Sequence, residues 1–240
     1  MTGASRGLGA EIARVLAAAG MSVAVNGRTR SFDAVRVVHD ISAAGGVAEV
    51  FAADVTDEAA VGSLVGEVEA RLGSVDVLVV NATGPQPAIG VAELTWPDLL
   101  DQLVFFVKSP TLLVRAVLPG MKERSHGRII NIGSDIFERA VPGRSAYAAA
   151  KGAQLGLTRT WARELGPYGI TVNLVAPGWI PVERHAGSST DTLRTYRDDV
   201  ALGRLGTPAD VAAVVAFLAS AAADFITGER IAVNGGHTIA

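Results

Sequence analysis

Short apolar segments alternate with helix-length segments along nearly the whole chain. The apolar segments predict strands at residues 22–26, 47–52, 75–80, 127–133, 170–176 and 229–233. Residues 75–80 are apolar almost without interruption, which is typical of a parallel strand that is covered on both faces. Helical spacing lies between these strands, most clearly at 10–19, 57–72, 145–166 and 208–222. Strands that alternate with helices of this length predict a doubly wound α/β parallel sheet flanked by helices.

Composition limits the size and the partners of this fold. The chain has 240 residues, 49% of them hydrophobic, so we expect one domain spanning 1–240. A net charge of -3 provides no basic surface for nucleic acid or for a membrane. The start of the chain lacks the apolar core of a signal peptide, and the apolar run 211–223 is too short to span a bilayer. We therefore expect a cytoplasmic protein with no nucleic-acid or membrane partner.

Metal and cysteine chemistry have little support in the sequence. The chain contains no cysteine, which excludes disulfides, thiolate metal ligands and a cysteine nucleophile. The four histidines show no ligand spacing, so we expect no metal.

A glycine-rich turn lies at the start of the chain, directly before the predicted helix 10–19. Its backbone N–H groups and the dipole of the helix that follows favour an anion, and the absence of side chains lets a pyrophosphate come close. The alternative is an ordinary flexible loop. The candidate phosphate-binding residues are Gly3, Ser5, Arg6, Gly7, Leu8 and Gly9.

Polar residues follow the next predicted strands at their carboxyl ends, where open parallel sheets bind ligands. The strand 22–26 is followed by Arg28, whereas a fold that binds NAD would place an acid there to hold the ribose hydroxyls. Together with Arg6, this residue favours NADP over NAD. Asp54 is either a turn residue or an adenine contact, and Val55 lies beside it. The strand 75–80 runs into Asn81, Ala82 and Gly84.

Tyr147 and Lys151 lie four residues apart in an alanine-rich segment without proline, which places them on one face of a helix. An ammonium beside a phenol favours the phenolate and so assists proton exchange at neutral pH. Ser134 follows the strand 127–133, from where it can hydrogen-bond a developing oxyanion. A Tyr–Lys pair at this spacing is also common on solvated surfaces, and that alternative stays open on the spacing alone.

These motifs, taken in their order and spacing, resemble the short-chain dehydrogenase/reductase family over essentially the whole chain. The motifs are Thr2-Gly3-x3-Gly7-x-Gly9, Asn81-Ala82-x-Gly84, Ser134, Tyr147-x3-Lys151, Asn173 and Pro177-Gly178. The resemblance implies a Rossmann-type fold and an NADP-dependent oxidoreductase that transfers hydride between the nicotinamide and a carbonyl or secondary alcohol. Within the family the chain looks most like 3-oxoacyl-thioester reductases and sugar or alcohol dehydrogenases, which share most of these motifs.

The resemblance also implies roles for single residues. Tyr147 would exchange the proton, Lys151 would assist it and hold the nicotinamide ribose, and Ser134 would orient the substrate oxygen. Cofactor contacts would come from the glycine turn and from three further groups: Asp54 and Val55 at the adenine, Asn81, Ala82 and Gly84 at the centre, and Pro177, Gly178 and Ile180 beside the nicotinamide. Residues 183–207 would form a substrate lid, with His185 as a polar lid residue, and the protein would be a homotetramer or homodimer.

Three departures from the family pattern stand out. Phe106 aligns with an asparagine that holds a water of the proton relay, so turnover should be slower, or the ring simply packs in the core. Val182 replaces a threonine that contacts the nicotinamide amide. The strand that normally precedes the glycine turn is missing. Its two neighbours would stand about 9–10 Å apart and could not pair directly, so either they close up or the sheet is disrupted.

The missing strand supports two further expectations. One is that the true start lies upstream of Met1, in which case about 5–10 additional residues should raise the melting temperature sharply. The other is a rival function: a degenerate, non-catalytic nucleotide-binding or scaffold protein, also suggested by Phe106.

Overall fold

The computed structural model describes residues 1–187 and 189–239, so Ser188 of the predicted lid and the terminal Ala240 lie outside the described residues. Parallel strands alternate with helices. The strands are β1 (Val23–Gly27), β2 (Ala48–Ala52), β3 (Val77–Val80), β4 (Gly127–Ile132), β5 (Ile170–Pro177) and β6 (Arg230–Val233). The α-helices are α1 (Gly7–Ala18), α2 (Phe32–Ala43), α3 (Glu58–Leu72), α4 (Trp96–Leu103), α5 (Ser109–Glu123), α6 (Ile136–Arg139), α7 (Ser145–Leu165), α8 (Thr190–Asp198) and α9 (Pro208–Ala219).

The strands form two parallel groups, β1-β2 and β3-β4-β5-β6. In the larger group Val79 pairs with Ile130, and Ile130 pairs with Asn173. The predicted α/β class and the parallel sheet are therefore confirmed, with strand boundaries that differ by one or two residues from those expected.

Residues 1–4 lie between β1 and β3, which do not pair with each other. The amide of Asn26 in β1 donates to the carbonyl of Met1 (3.1 Å), and the amide of Ala4 donates back to the carbonyl of Asn26 (2.9 Å). On the other side, the amide of Thr2 donates to the carbonyl of Val79 in β3 (3.0 Å). The expectation that the two neighbours cannot pair directly is confirmed, and this short segment satisfies part of their backbone hydrogen bonding.

Two apolar clusters cover the two faces of the strands. One contains Ile12 and Leu16 of α1, Val25 of β1 and residues of α9, with Ile130 of β4 packed against them. The other lies under α3, α5 and α7 and includes Ile129, the neighbour of Ile130. Successive side chains of β4 point to opposite faces and therefore pack into both apolar clusters, as expected for a strand that is buried on both faces.

The helical stretch Trp96–Glu123 runs for 28 residues and, by length and composition alone, is apolar enough to cross a membrane. Its second half is buried against the core cluster below α5. Pro110 does not end this helix: a π-helical turn, Val104–Lys108, precedes it and the helix continues. The hydrogen-bond register changes in that turn, so the missing N–H of proline interrupts no regular α-helix.

The region after Trp179 is more regular than the sequence suggested. Residues 179–207 are polar and carry no clear apolar period, but Glu183–His185 form a 3₁₀ turn and α8 follows. The Ser189 hydroxyl caps α8 by accepting from the amide of Thr192 (3.1 Å). Among the residues of α8 only Tyr196 is buried, so the apolar periodicity that reveals a helix is absent.

Candidate active site

The glycine turn has the tight geometry of a phosphate cradle. Gly3 and Gly7 adopt φ of +60° and +53°, which side chains rarely adopt. A Cβ on Gly9 would lie 2.1 Å from the carbonyl oxygen of Gly3, so that position admits only glycine. The turn ends at α1, whose first turn carries no acidic residue. This fixed turn is not a flexible loop, and its helix N-terminus suits the pyrophosphate of a dinucleotide.

Asn81 and Thr2 hold this turn in place. The Asn81 side chain donates to the carbonyls of Thr2 (3.1 Å) and Gly3 (2.9 Å). In return, the Thr2 hydroxyl accepts from the backbone amides of Asn81 (2.9 Å) and Ala82 (3.1 Å). Asn81 therefore fastens the glycine turn to the end of β3, a contact with the turn itself that the motif spacing did not reveal.

The glycine turn packs through Ser5 against the carboxyl end of β1, directly before Arg28. A Cβ on Gly27 would lie 3.7 Å from the side chain of Ser5, so the end of β1 packs against the glycine turn. Arg6 and Arg28 are both exposed. Two guanidinium groups near one edge can bind an anion such as a 2′-phosphate.

Asp54 and Val55 follow β2 at the same edge. The Asp54 carboxylate accepts from the amide (2.9 Å) and the hydroxyl (2.7 Å) of Thr56. These hydrogen bonds, with a smaller contribution from Arg28, lower the pKa of Asp54. The side chain of Asp54 is thus a turn-forming group in this structure, while Val55 is buried in the core.

Lys151 is buried next to Tyr147. The Lys151 side chain donates to the carbonyl oxygen of Ile132 (2.6 Å) and to the amide oxygen of Gln154 (3.0 Å), and the residue is 4% exposed. Its Nζ lies 5.9 Å from the ring centroid of Tyr147, which is half-buried. The alternative of a solvated surface pair is therefore wrong for Lys151.

Ser134 lies two residues beyond Ile132, at the same strand end that receives the Lys151 side chain. Its Oγ accepts from the amide of Ile136 at the start of α6 (3.2 Å). This bond fixes the position of the oxygen, and the hydroxyl hydrogen can still be donated to a substrate.

Phe106 contacts both Tyr147 and Lys151. Its ring centroid lies 3.8 Å from Lys151 Nζ and 5.4 Å from the Tyr147 ring, in an edge-to-face arrangement. The side chain is 2% exposed, as the core-packing alternative requires, but its neighbours are the candidate catalytic groups. It lies in the π-helical turn, a feature that often marks functional sites.

Pro177 ends β5, and Gly178 and Ile180 lie in the segment after it; these three residues were predicted to flank the nicotinamide. A Cβ on Gly178 would lie 2.5 Å from the Tyr196 hydroxyl, so a side chain would displace α8. The same hydroxyl accepts from the amide of Trp179 (2.7 Å). Tyr196 thus links α8 to this segment, a contact that the sequence did not predict.

Glu183 of the predicted lid and the residue before it, Val182, approach the glycine turn. A Cβ on Gly7 would lie 3.2 Å from Glu183 Oε2 and 3.3 Å from the Val182 side chain. Nearby, His185 accepts from the amide of Val182 through Nδ1 (3.1 Å), as expected of a polar lid residue. The Glu183 carboxylate therefore lies close to the helix terminus that suits a phosphate.

Asp135, directly after Ser134, is a buried carboxylate that the sequence analysis missed. It accepts from the side chain of Asn234 (3.3 Å), and Arg139 (3.7 Å) and His237 (3.9 Å) lie nearby. Burial raises the pKa of Asp135, while Arg139 and the Asn234 hydrogen bond oppose that rise. The only sequence signal was its position beside a candidate catalytic serine.

A cavity of about 790 Å³ lies between α6, α8 and the C-terminal segment. Its lining is mixed: Glu138, Arg139, Val141, Pro142, Trp179, Asp191, Thr192, Thr195, Tyr196, Asp199, His237 and Thr238. Gly84, which was predicted to contact the cofactor, lies against Phe105, whose ring a Cβ would approach to 2.3 Å.

Within 1–187 and 189–239, no group of three or more His, Cys, Asp or Glu side chains is placed to hold a metal ion.

Comparison with known proteins gives one consistent family. A family model described as enoyl-(acyl carrier protein) reductase matches residues 3–238. A Staphylococcus epidermidis relative named 3-oxoacyl-[acyl-carrier-protein] reductase FabG is 40% identical over 98% of this chain and 96% of its own length. The Escherichia coli relative of the same name is 38% identical over 98% of this chain and 95% of its own length.

A solved structure agrees with these sequence relatives. A short-chain dehydrogenase/reductase from Serratia marcescens superposes with a TM-score of 0.90 at 34% identity, covering 99% of this chain and 96% of its own. The relatives are named as reductases, and they lend no support to the non-catalytic alternative. The chain belongs to the short-chain dehydrogenase/reductase family and is an NAD(P)-dependent oxidoreductase.

Proposed function

We propose that this protein uses NADPH to reduce the ketone of a 3-oxoacyl thioester to a secondary alcohol. The observation that carries the proposal is the buried Lys151 beside Tyr147, at the strand end that also bears Ser134. Two hydroxyl groups and one cation at a single site suit a substrate oxygen that gains negative charge. The names of the relatives support an oxoacyl substrate.

Each of these residues has a chemical task. NADPH, when bound, supplies the hydride that adds to the carbonyl carbon. The Tyr147 hydroxyl donates its proton to the carbonyl oxygen, and Ser134 donates a hydrogen bond to the same oxygen. The Lys151 ammonium stabilises the phenolate that remains and also holds the nicotinamide ribose.

The cofactor would lie along the carboxyl ends of the strands. Gly3, Gly7 and Gly9 provide the space, and the first amides of α1 bind the pyrophosphate. The 2′-phosphate is assigned to Arg6 and Arg28. The remaining contacts follow the family pattern, with Asp54 and Val55 at the adenine, Asn81, Ala82 and Gly84 at the centre, and Pro177, Gly178 and Ile180 at the nicotinamide; Ser5 and Leu8 belong to the turn.

The substrate would enter through the cavity beside α6 and α8. This cavity lies next to the segment that follows Ser134, and Trp179 connects it to the segment at the nicotinamide. Residues 183–207, apart from the undescribed Ser188, would then act as the lid.

We also propose a cytoplasmic protein of one domain that forms a homodimer or homotetramer. Large apolar side chains are exposed on the outer helices, which supports a partner of the same kind. They include Trp96 (64%), Leu100 (46%) and Phe217 (42%), and Phe225, in the turn before β6, is fully exposed as well.

The test is a comparison of thioesters that differ only in the group to be reduced. NADPH oxidation is followed with a short 3-oxoacyl thioester and with the 2-enoyl thioester of the same length. We expect turnover of the ketone and none of the alkene, because Tyr147 and Ser134 are placed for an oxygen. Reduction of the enoyl substrate alone would overturn the proposal.

A further inference from the structure

We propose that Phe106 and Gln154 are positioning residues that hold the Lys151 ammonium against Tyr147 through neutral contacts. We call the group formed by Phe106, Ile132 and Gln154 the lysine socket. This inference rests on the proposed function, since it explains how the proton-donating pair is kept in its active arrangement.

The first wall of the lysine socket is an aromatic face. Lys151 Nζ lies 3.8 Å from the centroid of the Phe106 ring, well within the range of a cation–π interaction. Both residues are nearly inaccessible to water, at 2% and 4% exposure, and such interactions are strongest when desolvated. The same ring meets Tyr147 at 5.4 Å, so one side chain contacts the cation and the phenol together.

The second wall is formed by two carbonyl oxygens. Gln154 lies one helical turn after Lys151 on α7 and accepts from the ammonium through its side-chain oxygen (3.0 Å). The backbone oxygen of Ile132 accepts from the other side (2.6 Å). Gln154 is only 1% exposed, and a buried amide at this position without a polar contact would cost free energy.

The neutral character of the socket matters for the chemistry. A carboxylate beside the ammonium would cancel its charge and weaken its effect on a nearby phenol. The aromatic face and the two carbonyl oxygens of the socket are uncharged, so they contact the ammonium and leave its net charge in place. The socket thus keeps a positive field at Tyr147.

Hydrogen bonds of Thr158 connect the lysine socket to the neighbouring parts of α7 and β4. The Thr158 hydroxyl donates to the backbone oxygen of Gln154 (2.9 Å) and accepts from the side chain of Asn131 (2.9 Å). Asn131 is the neighbour of Ile132 on β4, so these bonds tie α7 to the strand that forms the socket. Phe106 is placed by the π-helical turn Val104–Lys108.

Other titratable groups on the elements packed against α7 must be considered for any change in Tyr147 ionisation. Asp98 of α4 lines the same small cavity as Tyr147, and its carboxylate accepts from the amide of Thr95 (2.9 Å). The remaining groups are Asp101 of α4, Lys108 of the π-helical turn, Arg128 of β4, Glu138 and Arg139 of α6, and Tyr168 of the 3₁₀ turn Gly166–Tyr168, while β5 carries none.

The test measures the ionisation of Tyr147 itself. The tyrosinate absorbance of the full chain is titrated with pH, and the contribution of Tyr147 is isolated by subtracting the curve of Tyr147→Phe. In Phe106→Leu and in Gln154→Leu we expect the midpoint to move upward by about one pH unit, a tenfold change in the acid constant. Gln154→Glu should move it further, because the new carboxylate neutralises the ammonium.

A matched control separates positioning from packing. Phe51 is another buried ring with a cation–π contact, to Arg71 (4.7 Å), but it lies on β2, away from α7. Phe51→Leu should lower the melting temperature and leave the Tyr147 midpoint unchanged. If Phe106→Leu fails to fold, the two Gln154 variants decide.

An unchanged Tyr147 midpoint in the folded variants would overturn the inference, and a shift in one variant alone would overturn the role of the other residue. The titration needs neither NADPH nor substrate. If the Tyr147 midpoint shifts in the variants but the protein reduces no carbonyl, the role of the lysine socket is supported and the proposed function is refuted.

Discussion

Arg28 is the single side chain that most directly decides between the two nicotinamide cofactors. It is exposed just after β1, where an acid would bind the ribose hydroxyls of NAD. We expect Arg28→Ala to weaken NADPH binding about tenfold, because a charge-assisted hydrogen bond to the 2′-phosphate is lost. NADH binding should stay the same.

Calorimetric titration of wild type and Arg28→Ala with each cofactor measures this effect. Arg30→Ala, a nearby exposed arginine, serves as the control and should bind both cofactors as wild type does. An equal loss of NADPH and NADH affinity in Arg28→Ala would show that the residue does not recognise the 2′-phosphate.

At the residue scale the sequence predicted the chemical groups better than their surroundings. The spacing of Tyr147 and Lys151 correctly placed both on one face of α7. Gln154 continues that face at a spacing of three from Lys151, and this signal could have identified it. The contact between Phe106 and Lys151 depends on how the π-helical turn Val104–Lys108 packs against α7, which no local pattern encodes.

The segment that carries Glu183 and the start of α1 form the contact to test at the scale of elements. The carboxylate lies near Gly7, where the helix terminus favours a phosphate. We expect Glu183→Gln to bind NADPH about two- to fivefold more tightly, since repulsion between the carboxylate and the pyrophosphate disappears. Fluorescence titration with NADPH measures the change.

Salt provides the control for that prediction. At high ionic strength the difference between wild type and Glu183→Gln should shrink, because exposed charges are screened. Weaker NADPH binding by Glu183→Gln would instead mean that the carboxylate supports the site.

Elements with a clear apolar period were predictable, and those that depend on tertiary contacts were not. The strand 127–133 was expected and β4 follows it closely, because Ile129, Ile130 and Ile132 form a short apolar run. By contrast, α8 is polar and is held through Tyr196, and the π-helical turn before Pro110 has no sequence signature. Both lie beside the candidate site.

At the scale of the whole molecule, residues 1–4 join two groups of strands that do not pair directly. Thr2 is central, because its hydroxyl accepts from the amides of Asn81 and Ala82. We expect Thr2→Val to lower the free energy of unfolding by about 2 kcal/mol, since two backbone N–H groups lose their acceptor. NADPH binding should weaken as well, because the glycine turn loses its anchor.

Urea unfolding and NADPH titration test this prediction. Thr2→Ser retains the hydroxyl oxygen and should behave like wild type. Equal stability of Thr2→Val and Thr2→Ser would mean that the hydroxyl does not hold the two strand groups together.

The amine of Met1 makes the stability of the 240-residue chain depend on pH. It donates to the carbonyl of Ala24 (3.0 Å), and burial lowers its pKa from 8.0 to about 6. Between pH 6 and pH 8 the unfolded chain binds more protons than the folded one, so stability should rise with pH across this window. The gain is at most about 2.7 kcal/mol, and it should level off outside the window.

Urea unfolding at several pH values measures this slope. The same chain with a blocked amine is the control, because its histidines still titrate but its amine does not. An identical pH dependence in the two chains would contradict the buried amine.

The measurement that tests the central claim most directly is NADPH-dependent reduction of a 3-oxoacyl thioester by wild type and by Tyr147→Phe, with NADPH affinity measured in both. We expect Tyr147→Phe to lose about 10²- to 10⁴-fold in turnover, because the proton donor is gone, while its affinity for NADPH is unchanged. Turnover by Tyr147→Phe within a few-fold of wild type would contradict the assignment of this site as the one that reduces the carbonyl.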